Sequence, residues 1–183
     1  MRQGQLIYVI GPSGCGKDSL INYARKHCSC DEMAFAHRYI TRPAEAGGEN
    51  HVALTPEEFQ ARLQRGLFAL NWESHGLCYG IGCEIDTWLK TGLNVAVNGS
   101  RAYLPTASER YPDILPVSIA VEPDILKQRL VGRGRESRAE INKRLQRAAE
   151  FSVSHPKLFE IDNSGNLSEG GEQLLKLIRH KQS

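Results

Sequence analysis

No stretch of this 183-residue chain approaches the roughly 20 consecutive apolar residues that span a bilayer. The opening Met1-Arg2-Gln3-Gly4-Gln5 leads straight into an apolar run at Leu6. It has neither the longer apolar stretch nor the small-residue cleavage site of a secretory signal. A cytoplasmic protein is therefore expected. An excess of one charge is lacking too. Twenty-three Lys and Arg against 21 Asp and Glu leave a net +2, which gives no compositional reason to expect nucleic acid. Metal-ligand spacing is absent among the five cysteines, Cys15, Cys28, Cys30, Cys78 and Cys83. Their number is odd, and Cys28 and Cys30 stand one residue apart, closer than the usual C-x2-C pair. Reduced structural thiols are the expectation. Internal repeats and low-complexity tracts are missing as well. What remains is an ordinary balance of 40% apolar and 24% charged residues, suited to one soluble domain with a small inserted lobe or lid.

Leu6 to Ile10 is a short apolar run ending at a glycine, and reads as a strand buried on both faces of a parallel sheet. A helix is expected from about Lys17 to His27, with Leu20, Ile21 and Ala24 facing inward. Met33 to Ile40 reads as a second strand and Thr41 to Asn50 as a loop. Thr55-Pro56-Glu57-Glu58 has the pattern of a capping box at a helix start, with the helix stopping near Gly66. A β-rich segment from Leu67 to Gly82 follows, then a helix near Glu84 to Thr91. Leu93 to Val97 and Ile114 to Val121 read as further buried strands. Pro123 opens a helix to about Val131, ahead of the glycine-rich, basic Gly132-Arg133-Gly134-Arg135-Glu136. A charged helix over Ala139 to Phe151, a last strand at Leu158 to Ile161 and a C-terminal helix complete the pattern. Strands alternating with helices predict an α/β fold with a parallel sheet.

The most specific local signal is Gly11-Pro12-Ser13-Gly14-Cys15-Gly16-Lys17, a match to G-x-x-x-x-G-K placed between a buried strand and a helix. Such a loop turns successive backbone N–H groups inward, where they and the helix dipole stabilise phosphate charge. Lys17 is placed to neutralise the β- and γ-phosphates, so ATP is the expected ligand. The residue after the lysine is normally Ser or Thr, whose hydroxyl meets Mg²⁺. Here it is Asp18, followed by Ser19. A carboxylate is a hard oxygen ligand for Mg²⁺, and an acidic side chain also suits the first turn of a helix. Both readings of Asp18 stand. Ser19 is rotated by about 100° on the helix and does not simply replace it.

The order of segments resembles the guanylate kinase family over nearly the whole chain. His37-Arg38-Tyr39-Ile40-Thr41-Arg42-Pro43 resembles that family's Thr-Thr-Arg-Pro segment. Phe68 to Gly80, with Trp72, Gly76 and Tyr79-Gly80, resembles its acceptor lobe. Arg129 to Arg135 and Ile141 to Leu145 resemble its lid, and Asp162-Asn163 the segment near the adenine. The departures point away from GMP. Leu70 or Asn71 stands where a Glu reads guanine, Glu45 replaces a second phosphate-binding Arg, and His51 replaces a Tyr. Asn98-Gly99-Ser100 replaces an Asp-x-Asp pair. A site stripped of its base-pairing partners commonly loses on the order of 10⁴ in discrimination. Lys17-Asp18-Ser19, Ala36 to Arg42, Glu49-Asn50-His51 and Val97 to Arg101 together are instead similar to the ribose 1,5-bisphosphate phosphokinase family, over roughly residues 4 to 165.

That resemblance implies a P-loop NTPase three-layer fold, like that of guanylate kinases. Its core would be residues 1–40 and 92–183, with a helical lid at about 129–147 and an acceptor lobe at about 41–91. It implies transfer of the γ-phosphoryl of ATP to ribose 1,5-bisphosphate, with Mg²⁺, in bacterial phosphonate breakdown. Lys17, Arg133 and Arg144 would be catalytic. Gly11 to Ser19, Arg129, Arg135 and Asn163 would hold the nucleotide, with Asp18 at the metal. His37, Arg38, Arg42, His51, Tyr79, Asn98, Ser100 and Arg101 would meet the acceptor. The attacking phosphate oxygen is already anionic, so no strong general base is needed, and positioning with charge neutralisation suffices. Plainer readings stand beside these: His37 as a hydrogen-bonded sheet residue, Arg38 as solvent-facing, Tyr79 as packing. Glu140 and Arg144 also fit an i,i+4 surface pair. Gly132 and Gly134 would let the lid close. The alternatives in function are a guanylate kinase or another nucleoside monophosphate kinase, and a non-catalytic binding module of the same fold. Partners are expected to be small molecules, with neither nucleic acid nor membrane, and the oligomeric state is left open.

Overall fold

All five residues of Leu6–Ile10 are buried. Even-numbered side chains point to one face of the sheet and odd-numbered ones to the other, so an unbroken apolar run is what a strand covered on both sides requires. The computed structural model describes residues 3–29, 31, 33–46, 49–134 and 137–180, without the side chains of Arg133 and His180. In chain order its elements are β1 (Leu6–Ile10), α1 (Lys17–His27), β2 (Met33–Phe35), β3 (Arg38–Ile40), β4 (Val52–Ala53), α2 (Pro56–Gln64), β5 (Phe68–Ser74) and β6 (Leu77–Gly82). They continue with α3 (Glu84–Lys90), β7 (Asn94–Asn98), α4 (Leu104–Arg110), β8 (Leu115–Ala120), α5 (Pro123–Arg133), α6 (Arg138–Glu150), β9 (Phe159–Asp162) and α7 (Leu167–His180).

Five strands form a parallel sheet in the order β2-β7-β1-β8-β9. Ile7 and Val9 join Leu20, Ile21 and Ala24 of α1 and Leu174, Leu175 and Ile178 of α7 in one core cluster. Tyr8 and Ile10 join Leu70, Ile81, Ile85, Leu89 and Leu104 in the other. Burying each such aliphatic side chain stabilises the fold by about 1.5–3 kcal/mol before chain entropy opposes it. A second, four-stranded sheet in the order β4-β3-β6-β5 is carried between β2 and β7. Its β5–β6 hairpin turns at His75 and Gly76, both at positive φ, 51° and 72°, as a tight two-residue hairpin loop demands.

Several local expectations are corrected. Met33 to Ile40 is not one strand: the chain leaves the parallel sheet after Phe35 and enters the second sheet at Arg38. An apolar run cannot reveal a change of sheet. Gly132 is helical, because α5 runs on to Arg133, and only Gly134 takes a left-handed φ, of 61°. Half of the capping box at α2 forms: Thr55 Oγ1 accepts from the Glu58 N–H, while the Glu58 carboxylate accepts from Arg62 at 2.9 Å. A complete box stands instead at α6, where Ser137 and Glu140 bond reciprocally. Helix α4, between Leu104 and Arg110, fell in a stretch with no predicted element.

Candidate active site

The phosphate loop leaves β1 at Gly11 and enters α1 at Lys17. Gly16 caps the helix at φ 91°, and a Cβ there would lie 2.5 Å from Asn163 Nδ2. Both the backbone angle and the close approach therefore demand glycine. The loop is braced from outside. Asn163 Nδ2 donates to the Cys15 carbonyl at 2.8 Å, and Arg129 donates to the Asn163 carbonyl at 2.7 Å. The buried Asn163 thus ties the end of β9 to the loop. The Lys17 ammonium donates to the carbonyls of Gly11 and Pro12 at 2.9 and 3.1 Å.

Asp18 follows at the floor of the cleft. Asn98, at the end of β7, donates Nδ2 to Asp18 Oδ1 at 2.7 Å. Burial, and next the charge of Glu49, push the Asp18 carboxyl above its ordinary range. A carboxylate held in that setting is stabilised by a nearby cation. Mg²⁺ commonly takes one or two carboxylates plus substrate phosphates and water, so a single Asp beside the phosphate loop fits the ion. Beyond Asn98, the backbone is fixed by Tyr8. Its hydroxyl donates to the Ser100 carbonyl and accepts from the Ser100 N–H, at 3.2 and 3.0 Å. A Cβ on Gly99 would come 2.2 Å from Tyr8 Cζ, so the chain passes the ring only as glycine.

The opposite wall comes from the second sheet. Arg38 is not solvent-facing: its side chain is 14% exposed and Glu49's is 11%. Both guanidinium ends of Arg38 donate to the Glu49 carboxylate, and its charge rests over the Tyr79 ring at 5.0 Å. Burial alone would lower the Arg38 pKa, but the bonds to Glu49 outweigh it and hold it above the usual value. Arg42 lies 4.0 Å from the same carboxylate. His51 grips Arg42 from behind, with Nδ1 at 3.3 Å from its guanidinium and Nε2 at 3.1 Å from its carbonyl. Tyr79 stacks on Trp72 across the hairpin, with centroids 5.6 Å apart and planes 2° off parallel. Arg101 donates to the Phe151 carbonyl at 3.3 Å and stacks on that ring at 5.0 Å.

These parts enclose one cleft of about 970 Å³. Gly11, Ser13, Gly14, Gly16, Lys17, Asp18 and Ser19 line one side, and Arg38, Arg42, Tyr79, Asn98, Ser100 and Arg101 the other. Arg144 closes the rim from α6 and donates to Ser13 Oγ. Pro12, Cys15, Arg129, Asn163 and His51 shape the walls from behind. His37 stands outside the cleft with Nε2 at 3.1 Å from Asn50 Nδ2. Arg135 and the side chain of Arg133 lie outside the described residues. Sequence reasoning missed Glu49, Trp72, Ser74, His75, Arg147 and Glu150, which also line the cleft. Two signals were available. Glu49 belongs to the Glu-Asn-His run, and Arg147 lies three residues after Arg144, on the same helix face.

The second cleft wall differs from a base-reading site. Leu70 is fully buried in the core, and neither it nor Asn71 lines the cleft. Comparison with known proteins agrees. No family model matches the chain. The ribose 1,5-bisphosphate phosphokinase of Desulfomicrobium baculatum is 58% identical over 95% of this chain and 94% of its own length. The enzymes of that name from Psychromonas ingrahamii and Thiobacillus denitrificans are each 53% identical, over 98% and 97% of this chain and 92% and 94% of theirs.

This chain belongs to the ribose 1,5-bisphosphate phosphokinase family.

It is therefore a kinase. Among solved structures, a guanylate kinase from Anaplasma phagocytophilum superposes with a TM-score of 0.73 over 99% of this chain and 87% of its own, at 14% identity. A gluconokinase from Sinorhizobium meliloti superposes with a TM-score of 0.52 at 18% identity, over the full length of both chains. At such identities the likeness shows the fold alone: a guanylate-kinase-like P-loop fold carries a ribose 1,5-bisphosphate phosphokinase. No helix among the described residues is long and apolar enough to cross a membrane.

Proposed function

We propose that the chain transfers the γ-phosphoryl group of ATP to the 1-phosphate of ribose 1,5-bisphosphate, giving 5-phosphoribosyl diphosphate and ADP. An oxygen of the 1-phosphate attacks the γ-phosphorus as the bond to the ADP oxygen breaks. The observation that carries this reading is the cleft with a phosphate loop on one wall and arginines on the other, and with neither Leu70 nor Asn71, the candidates for the base-reading position, lining it. An acceptor with two phosphates and no base calls for this balance of cations without base partners.

In this reading the loop amides and Lys17 hold the triphosphate and stabilise the charge that develops on the leaving oxygen. Asp18 would hold Mg²⁺, which when bound would supply charge neutralisation to the triphosphate. Asn98 orients Asp18 through its amide. Arg42, braced by His51 and Glu49, clamps an acceptor phosphate, with Arg101 and Tyr79 beside it. Arg38 acts mainly through Glu49, since its own fork is already filled. Arg144, with Arg133 and Arg135, closes the lid over the triphosphate and excludes water. The second sheet and α2 form the acceptor lobe, and the rest of the chain the core and lid. The setting is the cytoplasm, in phosphonate breakdown.

The test is a panel of acceptors incubated with labelled ATP and magnesium. Labelled 5-phosphoribosyl diphosphate is expected from ribose 1,5-bisphosphate, with GMP inert. Robust phosphorylation of GMP with an inert sugar bisphosphate would overturn the proposal.

A further inference from the structure

One turn of α6 separates Arg144 from Arg147. Arg144 reaches Ser13 in the phosphate loop. Arg147 reaches the other way, to the β5–β6 hairpin, where its Nη1 lies 3.4 Å from His75 Nδ1. Three residues of helix advance about 4.5 Å, so one helix face presents a guanidinium to the nucleotide wall and another to the acceptor wall. Both Arg147 and His75 line the shared cleft. The hairpin holds His75 at φ 51°, a conformation that non-glycine residues adopt uncommonly.

Among the described residues no carboxylate pairs with Arg147. Glu150, the acid nearest in sequence on α6 that also lines the cleft, accepts from Gln146 at 2.7 Å. Burial first, then Arg147 and Arg144, lower the His75 pKa. Arg147 donates to His75 Nδ1, and a guanidinium carries further N–H donors that can meet an anion in the cleft. On the lobe itself, Nε and Nη2 of Arg38 are bonded to Glu49, and the proposed function gives one acceptor phosphate to Arg42. A sugar bisphosphate has a second phosphate that also needs a cation.

We propose that Arg147 and His75 form a second anion subsite, which takes the acceptor phosphate that Arg42 does not. The subsite makes the enzyme select a bisphosphate over a monophosphate, and it joins lobe to lid through the acceptor itself. The inference rests on the reading of the acceptor as a sugar bisphosphate.

The test is calorimetric titration of the full chain with ribose 1,5-bisphosphate, ribose 1-phosphate, ribose 5-phosphate and ATP, for wild type and Arg147→Ala. Arg147 is exposed, and a thermal melt checks that the variant is folded. Arg147→Ala should weaken the bisphosphate by about 10–100-fold, the usual loss for a charge-assisted phosphate contact. One of the two monophosphates, the one seated on Arg42, should shift by less than about twofold, as should ATP. His75→Asn, which keeps a residue tolerant of positive φ, should lose less. A bisphosphate affinity unchanged in Arg147→Ala, or an equal loss for both monophosphates or for ATP, would overturn the subsite while leaving the proposed activity standing. A wild-type protein that binds no bisphosphate would overturn both.

Discussion

The two walls of the cleft are built by different means. The wall we assign to the nucleotide is main chain: eight consecutive residues from Gly11 to Asp18, with their curl fixed by glycine and braced by Asn163 and Arg129. The wall we assign to the acceptor is side chain. It gathers Arg38, Arg42 and Glu49 from one stretch, Trp72 and Tyr79 from a hairpin, and Arg101 and Arg147 from beyond. A backbone cradle depends on local conformation and tolerates variation in its side chains. A side-chain network depends on each partner, because removing one leaves another buried and unneutralised.

The sharpest way to break this contrast is to remove the one side chain on which the nucleotide wall depends. Lys17→Ala is expected to lower kcat/KM by about 10³-fold, the scale for losing a transition-state charge stabiliser. The fold should persist, as checked by ADP release and circular dichroism. Retained turnover would mean that the amides suffice alone. On the other wall, Glu49→Gln should cost roughly 3 kcal/mol of stability by leaving Arg38 buried without its counter-charge, as measured by urea unfolding. The acceptor KM should rise with it while ATP binding holds. Arg42→Ala should lower kcat/KM for the acceptor by about 10–100-fold, the range for one charged hydrogen-bonded contact, with little change in the KM for ATP. A selective rise in the ATP KM would merge the two walls into one.

The smallest effect sits where the walls meet. Asp18 has a raised carboxyl pKa in the fold, chiefly through burial and then through Glu49. Between its ordinary value of 3.8 and the raised one, the folded protein keeps a proton that the unfolded chain has released. Stability therefore falls as pH rises through that window. Asp18→Asn should remove this dependence and raise the melting temperature at neutral pH by a few degrees without magnesium, while increasing the Mg²⁺ needed for turnover. An unchanged Mg²⁺ requirement would take Asp18 out of the metal's sphere. A lower melting temperature would show that the Asn98 bond outweighs the cost of burial.

How much was legible follows the same division. The phosphate loop, α1 and the parallel strands were readable because each is a contiguous pattern whose meaning is local. For Arg38 a solvent-facing reading stood open beside the acceptor one, because its burial depends on Glu49, eleven residues away across a loop. His75 carried no signal, since a residue before a glycine reads as a turn whatever it faces. Tyr8 read as core and is core, yet its hydroxyl also holds the backbone of Ser100, 92 residues away.

By itself, then, the order of residues determined a curled glycine loop between a buried strand and a helix, because backbone conformation is dictated by neighbours in the chain. Only the tertiary structure decided which cations line the cleft opposite the loop and which are neutralised by Glu49, because a side chain's charge takes its meaning from groups that folding brings near.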